Sequence, residues 1–162
     1  LTVNPAGGTT NLIVNGGFEA STAAPWTLTA GVLNSSASEP PHSGAKDAWL
    51  DGYGTTHTDT ATQTVTIPST ATTATLTFWL HIDTAETTTT TAFDVLSVQV
   101  ISGGVTTTLG TFSNLNKGAG YTQRSFNVIA FKGQTVQIRF RGVEDSSLQT
   151  SFVIDDVALN VQ

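Results

Sequence analysis

The chain has 162 residues, a formal charge of −6 and only 11% charged side chains, against roughly 25% in ordinary soluble proteins. Its length fits one domain with a sizeable core, and its acidic balance removes the positive footprint that nucleic-acid or anionic-membrane binding requires. Cysteine and methionine are both absent, which excludes a thiol nucleophile and suits a protein that works outside the cell.

In chain order, Leu1-Thr2-Val3-Asn4-Pro5 alternates like a final strand and passes into the small, flexible Ala6-Gly7-Gly8-Thr9-Thr10. Residues 1–10 read as the remnant of a preceding domain or as a plain N-terminal arm, and residues 11–162 as one module. No basic-then-apolar leader opens the chain, so an export signal is expected upstream, and no run nears the roughly 20 apolar residues of a membrane helix.

From Asn11 onward no 3.6-residue period is sustained, and β-branched alternation bounded by Gly, Pro, Asn and Ser recurs instead. Short strands are predicted at 12–14, 26–28, 32–33 and 48–51, with Trp26 and Trp49 in the core. Longer strands are predicted at 61–67, 74–82, 94–101, 106–112, 121–128, 135–141 and 152–161. Over 74–82, Ala74, Leu76, Phe78, Leu80 and Ile82 share one face while Thr75, Thr77, Trp79, His81 and Asp83 share the other. Val136, Ile138 and Phe140 repeat the pattern against Gln137, Arg139 and Arg141, as do Leu96, Val98 and Val100 against Ser97 and Gln99. Many strands with one apolar face each predict an all-β fold, two antiparallel sheets packed as a jelly-roll or immunoglobulin-like sandwich. The Thr-rich run 84–91 predicts a long exposed loop.

Asn11-Leu12-Ile13-Val14-Asn15-Gly16-Gly17-Phe18-Glu19 is followed by Trp26, by His42-Ser43-Gly44-Ala45-Lys46, and finally by Phe152-Val153-Ile154-Asp155-Asp156-Val157-Ala158-Leu159. This set resembles the jelly-roll carbohydrate-binding modules of families four, nine and twenty-two. The resemblance covers residues 11–161 and implies a galactose-binding-like β-sandwich whose first and last strands lie side by side. It also implies a structural calcium ion, held by the Glu19 and Asp155 carboxylates and the Gly17 and Lys46 backbone carbonyls, a donor set that suits a hard cation. Strand alternation sends Asp156 to the opposite face. The bland alternative is that Glu19 and Asp155 cap turns and pair with Lys46.

A second acidic group, Asp51, Asp83 and Glu86, could hold another calcium. His57, Asp59 and His81 lie near it in sequence, Glu144 and Asp145 could join it from another loop, and converging histidines would favour zinc. For sugar, Trp79 is either the ring platform or a residue covering the outer sheet face under a loop, with His81, Gln99, Arg139 and Arg141 as hydrogen-bonding groups and Tyr53 or Tyr121 as further rings. Neither Gly-x-Ser-x-Gly nor His-Glu-x-x-His occurs, and no activity is expected. The expected role is therefore a secreted, monomeric, non-catalytic module, covalently linked to a parent enzyme and holding it on a polysaccharide or glycoprotein glycan. Segments 48–60 and 144–152 are similar to the C-terminal jelly-roll extensions of bacterial secreted peptidases, including sedolisin-like ones. They imply the alternative of a structural or protein-targeting appendage without sugar binding.

Overall fold

A computed structural model describes residues 8–162; the strand-like start of the expected domain remnant lies outside them. The elements in order are β1 (Thr10–Asn11), β2 (Thr27–Leu28), β3 (Leu33–Asn34), β4 (Asp47–Asp51), β5 (His57–Thr66), β6 (Ala74–Thr84), β7 (Val95–Ser102), β8 (Val105–Ser113), β9 (Thr122–Asn127), β10 (Thr135–Glu144) and β11 (Thr150–Val161). They form two antiparallel sheets. Sheet A runs β3-β4-β11-β6-β9, with β1 also on β11, and sheet B runs β2-β5-β10-β7-β8. No described helix is long and apolar enough to cross a membrane.

The alternation read from the sequence sets the core. Leu76, Phe78 and Leu80 from sheet A face Val98, Ile138 and Phe140 from sheet B, all fully buried or nearly so. The rings of Phe78 and Phe140 meet edge-on at 4.8 Å, a favoured arrangement for aromatic quadrupoles. Trp26 completes this layer against Phe18 and Phe140. Trp49 departs from expectation: Ala48 and Leu50 take the inward positions of β4, so the indole between them lies half-buried on the outer face of sheet A.

The chain ends meet as the resemblance implies. Thr10 and Asn11 pair with Val161 and Asn160, so the folded unit already includes Thr10. Residues 12–14 form no ladder. Leu12 donates to the Leu159 carbonyl, and the Gln63 side-chain amide clamps both the N–H and the carbonyl of Val14 at 2.9 Å. Beyond lies Gly16, whose carbonyl accepts from Val157 N–H at 3.0 Å. A Cβ on Gly16 would collide with the Val157 carbonyl, so only glycine permits this approach. The register of β11 against β6 shifts between Asp155 and Ala158, placing a bulge where the N-terminal motif arrives.

Candidate functional site

The node built on that bulge gathers the expected calcium residues. The Glu19 carboxylate accepts from the backbone N–H groups of Ala45 and Lys46 at 2.7 and 2.8 Å, drawing the 43–46 turn onto the N-terminal motif. Asp155, wholly buried, accepts from Ser43 N–H at 2.9 Å and Asp156 N–H at 2.7 Å. Gly17 faces all of this: a Cβ there would lie 3.4 Å from Asp156 Oδ1, 3.8 Å from Asp155 Oδ1 and 3.9 Å from Glu19 Cγ. Asp156 does not take the opposite face. With φ of 48° at the bulge, its carboxylate swings round to accept from Ser43 Oγ at 2.9 Å and to meet His42 Nδ1 at 2.7 Å.

Lys46 does not neutralise the node. Its ammonium caps the Ala20 and Glu19 carbonyls, at 2.7 and 3.4 Å. Among the described residues no lysine or arginine pairs with any carboxylate; the ion pairs all use histidine. A further acid, unread in the sequence, is Asp47. It is fully buried, with one oxygen on Asn34 at 2.9 Å and the other unpartnered. Burial pushes the Asp47 carboxyl up to about 7, helped by the charges of Asp155, Glu39 and Glu19 against the Asn34 hydrogen bond. Burial likewise pushes Asp155 up to about 6. Hard oxygen donors in uncompensated excess are the chemistry a calcium ion fits, and the orphaned Asp47 oxygen supports that fit.

Along β9 the outer face of sheet A keeps a groove of about 290 Å³ beside Thr75, Ser125 and Asn127, but around Trp79 and His81 that face is covered. Residues 35–46 cross it, and the His42 ring stacks on Trp79 with centroids 4.0 Å apart and planes 14° from parallel. His81 is held by Glu39 at 3.4 Å and by the Gly118 carbonyl at 3.1 Å, and Tyr121 donates its hydroxyl to the Pro40 carbonyl. Burial and then the Asp47 and Asp155 charges hold the Tyr121 phenol well above its ordinary range. Trp79 and His81 are thus packing groups beneath a strap, which corrects the expectation of an open platform.

The second acidic group does not assemble. Asp51 and Asp83 flank Ser151 from opposite sides in sheet A, but Asp83 is exposed and meets Gln149 at 3.3 Å. Glu86 is buried, with Lys117 on its backbone carbonyl. Asp51, at φ 61°, instead turns its carboxylate between the sheets onto Gly142, where a Cβ would collide with it. There it joins buried Asp59, Asp94 and Glu144. These three organise the loops at one end of the sandwich. Asp59 accepts from Asp51 N–H and pairs with His57, and Glu144 accepts from the N–H groups of Tyr53, Gly54 and Thr150. Asp94 takes Asp145 N–H and the Thr150 hydroxyl. Burial, then Asp59 and Glu144, push Asp51 up to about 8.

The outer face of sheet B, by contrast, lies open. Thr58, Thr60, Thr62, Thr64 and Thr66 alternate with buried Asp59, Ala61, Gln63 and Val65 along β5, so five threonines line one face. Thr60, Thr62 and Thr64 stand opposite Arg141, Arg139 and Gln137. Arg139 donates to Gln99 at 2.8 Å, uniting two of the predicted sugar-binding residues. Beside them a groove of about 360 Å³ is lined by Pro25, Thr27, Thr62, Thr64 and Gln137.

No family model matches the sequence, nor does any curated protein. Solved structures do match. The carbohydrate-binding module TmCBM61, determined in complex with β-1,4-galactotriose, aligns with a TM-score of 0.67 at 18% identity over 94% of this chain and 99% of its own. This chain shares their jelly-roll β-sandwich fold. The xylan-binding CBM22-1 domain of Paenibacillus barcinonensis Xyn10C aligns with a TM-score of 0.57 at 12% identity, covering 98% of this chain and 97% of that one. The K3 cleaved adhesin domain of Lys-gingipain from Porphyromonas gingivalis aligns at 0.58 and 16% identity, covering 93% and 97%. At such identities the likeness is one of fold, and what the site binds is argued from its own residues.

Proposed function

We propose that this protein is a secreted, non-catalytic carbohydrate-binding module, linked to a parent enzyme, that holds a neutral polysaccharide on the outer face of sheet B. The observation that carries the reading is the contrast between the expected ring platform and the other face: Trp79 at the centre of sheet A is strapped over, while sheet B presents its groove beside Arg139, Gln99 and Arg141. Threonine hydroxyls, amides and guanidinium groups can exchange donors and acceptors with sugar hydroxyls, and threonine methyls can meet the apolar patches of a ring. The galactotriose complex and the xylan-binding domain of the same fold support this choice of ligand class. A calcium ion at Gly17, Glu19, Lys46 and Asp155 would join the chain ends and serve stability rather than binding. The gingipain domain, of the same fold, favours as second reading an appendage of a secreted peptidase without sugar binding.

Binding to soluble and insoluble polysaccharides, with calcium and with chelator, tests the proposal. The double variant Arg139→Ala/Gln99→Ala should lose binding and Trp79→Ala should keep it. The reverse pattern would move the site to sheet A and refute the assignment, and no binding across a broad panel would leave the appendage reading.

A further inference from the structure

One end of the sandwich is closed by four loops that arch from sheet to sheet: residues 52–56 between β4 and β5, 145–149 between β10 and β11, 85–94 between β6 and β7, and 114–121 between β8 and β9. Because β4, β11, β6 and β9 are successive in sheet A, and β5, β10, β7 and β8 in sheet B, the arches stand side by side in that order. Each carries one exposed large apolar side chain: Tyr53, Leu148, Phe93 and Leu115, between 39% and 50% exposed. Among the described residues only Val14 and Val105 are large apolar groups exposed elsewhere. Neighbouring strands lie about 4.8 Å apart, so the row spans about 15 Å.

The arches are bonded to one another. The Tyr53 and Gly54 N–H groups donate to Glu144 at the root of the next arch, Asp145 N–H donates to Asp94 Oδ1 at 2.8 Å, and Phe93 N–H donates to Asn114 Oδ1 at 2.9 Å. Leu148 has φ of 60°, a left-handed conformation that bulky side chains rarely adopt. An exposed leucine held there is the kind of local strain that collects at ligand clamps and other functional sites.

The rim of this row is acidic. Seven of the chain's twelve acidic residues lie on the arches or within three residues of them, Asp83, Glu86, Asp94 and Asp145 among them, against Lys117 and Arg124 as the only lysine and arginine in the same span. The Lys117 ammonium goes to the Glu86 carbonyl at 2.9 Å, and the Arg124 guanidinium turns over the Phe112 ring. Even with Asp51 protonated, negative charge prevails. Apolar groups rimmed by polar ones mark interaction sites, and the sign of the rim selects the partner. A second copy of this end, or an anionic membrane, would meet like charge. Leucines offer a sugar neither a flat ring nor a hydrogen bond. We propose that this end of the sandwich docks a basic, apolar segment of a partner protein, its apolar side chains along the row and its lysines or arginines toward the acidic rim. At about 3.4 Å per residue, an extended stretch of about five residues covers the row. The chain ends lie at the opposite end, where Thr10 pairs with Val161 and Gln162 with Thr73, so a domain joined to either leaves the row free. The inference goes beyond the glycan reading and does not depend on it.

Selection of phage-displayed random dodecapeptides on the whole chain, with counter-selection on Phe93→Ser/Leu148→Ser, tests the proposal. Both side chains are exposed and the double variant keeps the charge, so its Tm should match that of the wild type. Enriched peptides should combine leucine or phenylalanine with lysine or arginine and bind the wild type with a Kd on the order of micromolar. They should lose roughly tenfold in the double variant and nothing in Val105→Ser, which removes an exposed apolar group at the other end. Peptides that bind both proteins equally, an enriched set without basic residues, or no enrichment overturns the proposal. Zwitterionic vesicles, a second copy of the chain or a polysaccharide held by the wild type and released by the double variant would assign the row to another occupant and overturn it as well. Polysaccharide binding lost only in Arg139→Ala/Gln99→Ala leaves the sheet B reading standing whichever way the peptide selection falls.

Discussion

The proposed calcium site predicts a linkage that can be read in a melting curve. Glu19 is the residue to perturb, because its carboxylate ties the 45–46 backbone to the N-terminal motif while Asp155, from the last strand, sits across the same node. A ligand bound only by the folded state stabilises it by about 2.7 kcal/mol at one hundred times its Kd. For a domain of this size each kcal/mol moves Tm by about 2–4 °C, so calcium in that excess should raise the wild-type Tm by about 5–10 °C. Glu19→Ala should melt at one temperature with calcium or with chelator. Because Asp155 and Asp47 are pushed up to about 6 and about 7 in the absence of an ion, and a ligating carboxylate must be deprotonated, the wild-type gain should shrink as pH falls through that range. Scanning calorimetry over pH 5 to 8 measures both effects. An equal calcium shift in wild type and Glu19→Ala, or a gain that does not change with pH, would refute the reasoning.

Two further outcomes follow from buried groups. Asp51 has a folded pKa of about 8 against an ordinary value of 3.8, so its protonated form favours the fold; that contribution is complete below the unfolded pKa and is lost as pH rises through about 8. Asp51→Asn should therefore remove a pH-dependent loss on the order of 5 kcal/mol between pH 4 and 9, checked by urea unfolding across that range; parallel pH profiles for the two proteins would contradict it. Gly16→Ala forces a methyl group against the Val157 carbonyl and should cost about 1–3 kcal/mol, seen as a lower urea midpoint at unchanged slope.

The sandwich was legible wherever inward positions are apolar, as in Leu76, Phe78 and Leu80. Strand ends were missed where an inward position carries an acid. Sequence alternation starts β5 at Ala61 and stops β10 at Arg141, yet the strands run from His57 and to Glu144 because Asp59 and Glu144 continue the buried rows. Such acids read as loop residues, since the backbone N–H groups that satisfy them come from distant segments. Trp49 could have been placed outward from Ala48 and Leu50 alone. The node at Glu19 and Asp155 was readable as two motifs, but Asp47 was not, because its burial depends on the strap and on Asn34 of a neighbouring strand. Nor could alternation foresee Asp156 beside Asp155, which a bulge reorients.

The position of β11 bears on how the molecule is made and how long it persists. This strand pairs with β6 along one side and with β4 and β1 along the other, so sheet A has no continuous centre until residues 150–161 have left the ribosome. Until then nothing joins β3–β4 to β6–β9 within sheet A, a state suited to passage through a narrow channel and to capture by holding chaperones. Contacts between residues some 150 positions apart make folding slow. If those contacts form only after the transition state, they slow unfolding as well, so that an assembled copy would outlast its thermodynamic margin under proteolytic attack.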